Sequence, residues 1–300
     1  MPNISQLEIS RRRVFPLLGA AMAGLLFVSP SKAEDAEQPE RIVAIGGAVT
    51  ETLYALGAED RIVGVDTTAV YPSEARDKPN VGYMRQLSAE GVLALSPDLI
   101  LMEEGAGPPP AIELLKASGL SLTTVPGGHG RAEIGQKIRT IAGAVGQKEK
   151  GDALATEIES NLARLDTQLE SVETPRKVLF ILSMVDGRPM AAGTDTAADE
   201  MIGLAGGTNV FGEISGYKTL SSEAATELAP DVIVMVTGAG PDHGAADPFS
   251  IPALKATPAG QTNSLIRMDA AYLLGFGPRT ADAARDLSTR LYPDHMPSPE

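Results

Sequence analysis

Cysteine and tryptophan are both missing from this 300-residue chain, and only three histidines are present. Without cysteine there is no disulfide, no zinc–thiolate site, no cysteine nucleophile and no iron–sulfur cluster. There is also no cysteine to carry a lipid, so the mature chain is expected to be free rather than membrane-anchored. Three scattered histidines are too few for a zinc or manganese carrier, which needs several imidazole and carboxylate ligands to converge. Signatures of exported α/β enzymes are missing too. There is no Gly-x-Ser-x-Gly elbow, P-loop or His-Glu-x-x-His, and no Gly-x-Gly-x-x-Gly follows a strand pattern. The reading is therefore a binding function rather than an enzyme.

Positive charge is scarce as well, with a formal net charge of −14. So acidic a surface argues against nucleic acid and anionic lipid as partners, and solubility alone accounts for it. Three of the 25 basic residues stand together near the start. Arg11-Arg12-Arg13 precedes an apolar stretch of fifteen residues, Val14 to Val28, and Ser31-Lys32-Ala33 follows. That is the layout of an export signal spanning residues 1–33, cleaved after Ala33. The stretch is shorter than the roughly 20 residues needed to span a bilayer. Ser10 to Phe15 approximates a twin-arginine signal and fits an ordinary Sec signal equally, so both routes lead to an expected periplasmic location.

What the chain does contain is a repeat. Leu87-Ser88-Ala89-Glu90, followed by Leu95-x-Pro97-Asp98-Leu99-Ile100-Leu101-Met102, returns 133 residues later. The second copy reads Leu220-Ser221-Ser222-Glu223, then Leu228-x-Pro230-Asp231-Val232-Ile233-Val234-Met235. Eight of the sixteen aligned positions are identical. Arg41 to Ile45 is echoed by Lys177 to Ile181. A period this long is not a solenoid; it implies two similar lobes with a cleft between them.

Each lobe alternates short β-branched runs with helical patterns, which predicts parallel sheets covered by helices. Thr50 is the expected cap of the first helix, and Ser88 and Ser221 are the expected caps of the repeated one. Pro97-Asp98 and Pro230-Asp231 mark turns into buried strands. Between the lobes, Gln147 to Val172 is the longest helical pattern, with Leu154, Ile158, Leu162, Leu165, Leu169 and Val172 at steps of three and four. The expected division is a first lobe over 41–146, an interlobe helix over 147–174 and a second lobe over 175–293. One stiff helix as the only crossing predicts small hinge motion.

Two α/β lobes joined by one long helix after an export signal resemble the periplasmic binding proteins of iron-chelate and vitamin B12 ABC importers. Glu40 to Ile45, Thr50-Glu51-Thr52-Leu53, Leu56-Gly57-Ala58 and Val63-Gly64-Val65 carry that likeness, which spans about residues 40 to 293. Val81-Gly82-Tyr83-Met84-Arg85-Gln86-Leu87-Ser88-Ala89-Glu90-Gly91 and Leu274 to Thr280 are similar to the haem-importing branch. The resemblance implies that Tyr83 supplies an oxygen ligand to ferric haem b, carried as transported cargo. It further implies that Glu90 and Glu223 meet arginines on a paired ABC permease, which works with its ATPase and downstream of an outer-membrane haem receptor.

The chemistry of that assignment stands on its own. A free phenol has a pKa of about 10, so phenolate ligation at neutral pH needs ferric iron, with help from a cation such as Arg85. The bland alternatives are a solvated loop tyrosine and a surface arginine. Tyr217, in Gly216-Tyr217-Lys218, nearly mirrors Gly82-Tyr83 and is read either as stacking on the porphyrin or as packing. Arg279 is a candidate propionate partner or a purely structural turn residue. For Glu90 and Glu223 the simpler reading is a favourable acid in a helix's first turn. His129 and His243, both in loops, are the candidates for a second axial ligand. Thr237 stands where relatives carry a cleft-facing arginine. A ferric siderophore or cobalamin is the nearest rival cargo, although such ligands favour aromatic pockets and aromatic residues make up only 4% of the chain.

Overall fold

The first sheet grows from three short apolar runs without polar alternation, as largely buried strands are, and is closed at one edge by a more polar run. The computed structural model describes residues 38–185, 187–238 and 246–295. The expected signal segment, residues 1–33, lies outside them. In chain order the first lobe comprises β1 (Ile42–Ile45), α1 (Gly47–Ala55), β2 (Ile62–Val65), two-residue strands β3 (Gly82–Tyr83) and β4 (Gln86–Leu87), α2 (Ala89–Ala94), β5 (Leu99–Glu103), α3 (Pro109–Ala117), β6 (Ser121–Val125) and α4 (Arg131–Ala144). The sheet order is β2-β1-β5-β6, all parallel. Helices α1 and α4 pack Leu53, Leu56 and Ile141 onto Ile42, Ala44 and Leu101. On the other face, Val92 of α2 and Ile112 and Leu115 of α3 cover Val43, Ile45 and Ile100.

The interlobe helix α5 (Lys148–Leu169) follows. The second lobe then comprises β7 (Lys177–Val185), β8 (Arg188–Ala192), α6 (Ala197–Leu204), β9 (Thr208–Asn209), β10 (Tyr217–Thr219), α7 (Ser222–Leu228), β11 (Val232–Thr237), α8 (Pro252–Lys255), α9 (Pro258–Thr262), β12 (Leu265–Asp269), α10 (Ala270–Leu274) and α11 (Thr280–Leu291). Its parallel part, β9-β7-β11-β12, repeats the order of the first lobe. Antiparallel β8 and β10 extend it, with β8 pairing the later half of β7. That hairpin extension has no counterpart in the first sheet, where β3 and β4 form a separate two-stranded ribbon.

The repeat is explained by capping. The Ser88 hydroxyl accepts from Gly91 N–H and the Ser221 hydroxyl from Ala224 N–H, each at 3.1 Å. The Asp98 carboxylate accepts from the Glu40 and Arg41 amides, and Asp231 from the Lys177 amide at 2.9 Å. Each repeated aspartate therefore pins the start of its lobe's central strand. Thr50 does not cap α1. The helix begins three residues earlier, at Gly47, after a Gly46 with φ of 116°. A Cβ on Gly47 would stand 2.7 Å from the Thr68 carbonyl, so backbone crowding rather than a hydroxyl sets this helix start.

Helix α5 joins the two cores. Ile158, Leu162 and Leu165 are buried with second-lobe residues of β7, α6 and α11. Leu154 packs against both this cluster and the first-lobe cluster of α1 and α4. Gly151 lets α5 press onto α4, where a Cβ would meet that of Ala142 at 2.1 Å. Beneath α4, the fully buried Lys137 ammonium pairs with Glu103 at the end of β5, 2.9 Å away. A buried charge left alone is costly, whereas removing both partners is often neutral. Lys137→Met should therefore cost about 3–5 kcal/mol in denaturant unfolding, and adding Glu103→Leu should recover most of that loss. A single variant within about 0.5 kcal/mol of wild type would show that the pair does not anchor this lobe.

Candidate functional site

Parallel sheets leave their ligand crevice beyond the carboxyl ends of the strands. In the first lobe those ends lead into Gly46-Gly47 after β1, Asp66 after β2, Glu103 on β5, and Gly127 to Gly130 after β6. The β3–β4 ribbon is tied to this edge. The Val81 amide donates to the Val65 carbonyl, the Leu87 amide to Gly107 and the Gly107 amide to Met84. Val81 and Leu87 are buried, while Tyr83 stands between them with 42% of its surface exposed. Arg85, at the ribbon's turn, is exposed. Its charge reaches Tyr217 on the second lobe.

Tyr217 differs from Tyr83 in its environment. It is half-buried on β10, paired with Ala192, and packs on the second-lobe core. Burial pushes its pKa up, and the nearby Thr196 side chain, the Ala198 backbone and the Arg85 charge only partly offset that. Tyr217 is thus held as a neutral phenol.

The lobes meet through two further contacts. Arg279, in the turn before α11, donates to Glu51 of α1 through its backbone N–H at 3.2 Å, Nε at 3.0 Å and Nη2 at 2.7 Å. Its guanidinium lies 3.5 Å over the exposed Tyr71 ring and 5.1 Å from that of Tyr272. Burial disfavours the charge on Arg279, but Glu51 outweighs it and the pKa rises. Tyr272 in turn donates to Asp286 at 2.9 Å; burial and that acid raise its phenol pKa far above the ordinary value. Close by, the His129 ring packs edge-on to Phe276 at 4.8 Å. Phe276 is buried and holds a left-handed φ of 48°, a conformation that is rare for a bulky residue.

Of the residues singled out from sequence, Tyr83 and Arg85 are exposed on one ribbon, Arg85 lies close enough to influence Tyr217 of the second lobe, and Arg279 sits at the lobe junction. Glu90 and Glu223 are exposed in the first turns of α2 and α7, and neither has an ion pair among the described residues. His243 lies outside the described residues. Glu51, Asp66, Tyr71 and Phe276 were not picked out as site residues. An acid directly after a strand, as in Val65-Asp66, was the available signal for one of them. Among the described residues no helix is long and apolar enough to cross a membrane.

A family model described as periplasmic binding protein matches residues 42–272. A crystal structure of the periplasmic heme-binding protein RhuT from Roseiflexus sp. RS-1, in apo form, superposes with a TM-score of 0.77 at 36% identity, covering 85% of this chain and 98% of that one. The uncharacterized ABC transporter substrate-binding lipoprotein YvrC of Bacillus subtilis is 29% identical over 86% of this chain and 82% of its own length. A vitamin B12-binding protein of Vibrio cholerae serotype O1 is 27% identical over 89% of this chain and 94% of its own. These relatives are binding proteins, and this chain is a binding protein and not an enzyme.

The junction histidine should give a pH signature. Burial, and then Lys137, lower the His129 pKa, so the folded state holds it neutral. The unfolded chain regains the ordinary value of 6.5 and takes up a proton below it. Its contribution to stability is therefore full above about pH 6.5 and is lost as the pH falls, by at most about 1.4 kcal/mol per pH unit. Denaturant midpoints for wild type and His129→Gln should converge between pH 7.5 and 5; parallel curves would exclude this role for a neutral His129.

Proposed function

This chain belongs to the periplasmic binding protein family, and we propose that it carries one ferric haem in the interlobe cleft and delivers it to an ABC importer. The observation that carries this reading is Tyr83, a half-exposed phenol on a tethered ribbon that also bears Arg85, whose charge reaches Tyr217 of the second lobe. Ferric iron stabilises the phenolate, and the Arg85 cation favours it further. Tyrosine is a recognised axial ligand of haem iron, and a hard phenolate favours the ferric state, as suits a carrier without redox work. Tyr217, a neutral phenol packed on the second-lobe core, supplies a ring surface for the porphyrin rather than a second ligand. Arg279 commits its backbone N–H, Nε and Nη2 to Glu51, which leaves Nη1 for a haem propionate.

Glu90 and Glu223 occupy equivalent first turns on the two lobes. Two pseudo-symmetric carboxylates suit a two-fold permease dimer carrying cations, with its ATPase behind it. Export by the signal at residues 1–33, release into the periplasm and supply of haem by an outer-membrane receptor belong to the same proposal. The likeness to a vitamin B12-binding protein keeps cobalamin as the second reading, with a ferric siderophore behind it.

Titration of the purified protein with hemin should give a saturable Soret change at one equivalent and a high-spin ferric spectrum. Tyr83→Ala should lose that spectrum and weaken binding by more than about tenfold. No saturable change, or saturation by cyanocobalamin instead, would refute the haem assignment, and a low-spin six-coordinate spectrum would bring in His129 or His243. Substituting Glu90 and Glu223 together by alanine should spare hemin binding while weakening haem uptake by at least about tenfold in cells expressing the importer. Weakened hemin binding in that variant would contradict the docking role.

A further inference from the structure

We propose that Asp66 is the positioning residue of Tyr83, an assignment that rests on the reading of Tyr83 as the iron ligand. Asp66 follows β2 directly and is 1% exposed, yet it has no cationic partner among the described residues. Its carboxylate is held by four neutral donors. Oδ1 accepts from Gly46 N–H and from the Thr68 hydroxyl, each at 2.9 Å. Oδ2 accepts from Thr68 N–H at 3.0 Å and from Met84 N–H at 3.2 Å. A buried carboxylate is costly to keep, and here it cross-links the β1–α1 turn, the loop after β2 and the ribbon that bears Tyr83.

The last of these bonds acts directly on the ligand. Met84 N–H belongs to the peptide unit that follows Tyr83. The unit that precedes Tyr83 is held by its neighbour, because Thr67 N–H donates to the Gly82 carbonyl at 3.0 Å. Both peptide planes flanking the Tyr83 Cα are thus gripped by the two residues Asp66 and Thr67. With both planes fixed, the direction of the Tyr83 side chain from the ribbon is fixed before any cargo arrives. Outer groups that orient a metal ligand in this way typically govern affinity by about 10–100-fold.

An amide cannot substitute for the carboxylate. Each Asp66 oxygen accepts from two donors, so an Asn at this position turns one oxygen into an N–H₂ facing N–H groups. The charge effect runs the other way, since removing a nearby negative charge favours a phenolate. Weaker binding in Asp66→Asn therefore reports lost position rather than lost charge.

The test is a double-mutant cycle on hemin affinity, joined to a measurement that needs no cargo. With Tyr83 intact, Asp66→Asn should raise the hemin Kd by about 10–100-fold and broaden the high-spin ferric EPR signal. In the Tyr83→Ala background the same change should alter Kd by less than about twofold. Equal effects in both backgrounds, or no effect in folded Asp66→Asn protein, would overturn the assignment. In the cargo-free protein, hydrogen exchange across Gly82–Leu87 should accelerate at least about tenfold while that of β5 is unchanged; unaltered exchange overturns the proposal whatever the cleft holds. Faster exchange without any Tyr83-dependent hemin spectrum would instead locate the failure in the haem reading. If Asp66→Asn does not fold, Thr68→Val removes only one donor, and a smaller shift of about threefold in the same readouts is expected, with no shift contradicting the proposal.

Discussion

The Glu51 carboxylate, accepting three hydrogen bonds from Arg279 across the two lobes, is the contact on which the cleft geometry depends. It fixes α1 against the turn before α11, where Gly277 lies so close that a Cβ would meet Ala48 Cα at 3.4 Å. From there the constraint runs backwards along α1 to its start. Gly46 donates to Asp66, and Asp66 accepts from Met84 beside Tyr83. The lobe junction and the proposed iron ligand are thus joined through one helix and one buried carboxylate. Helix α5 closes the frame from behind by sharing Leu154 between the two cores.

Pseudo-symmetry divides the molecule's features by purpose. Shared by both lobes are the parallel strand order, the serine caps, the strand-pinning aspartates and the exposed glutamates. These are properties of the scaffold and of the surface proposed to meet a symmetric partner. The lobes differ where the cargo would lie. The first lobe has the separate, tethered ribbon with Tyr83, and the second has β8 and β10 built into its sheet, with Tyr217 packed on its core. The proposed single-sided ligation rests on that difference.

The strands, the repeated helix and α5 were readable because each is written locally, as an apolar run, a capping serine or a period of three and four residues. The start of α1 was misplaced because Gly46 and the crowding of Gly47 against Thr68 decide it, and neither shows as a capping hydroxyl. The antiparallel extension of the second sheet escaped because β8 and β10 are short and find their partners through tertiary pairing. Arg279 was legible as a candidate but its partner was not, since Glu51 lies 228 residues away. Asp66 had no local reason to be singled out, and its meaning appears only when three separated amides converge on it.

The central claim is that the cleft binds iron through Tyr83 alone. A crystal structure of the protein loaded with one equivalent of hemin tests it most directly. The account predicts iron bonded to Tyr83 Oη, no protein ligand on the opposite face, and the Glu51–Arg279 pair intact with Arg279 Nη1 at a propionate. Iron bound by His129 or His243, or haem seated outside the cleft, would contradict it.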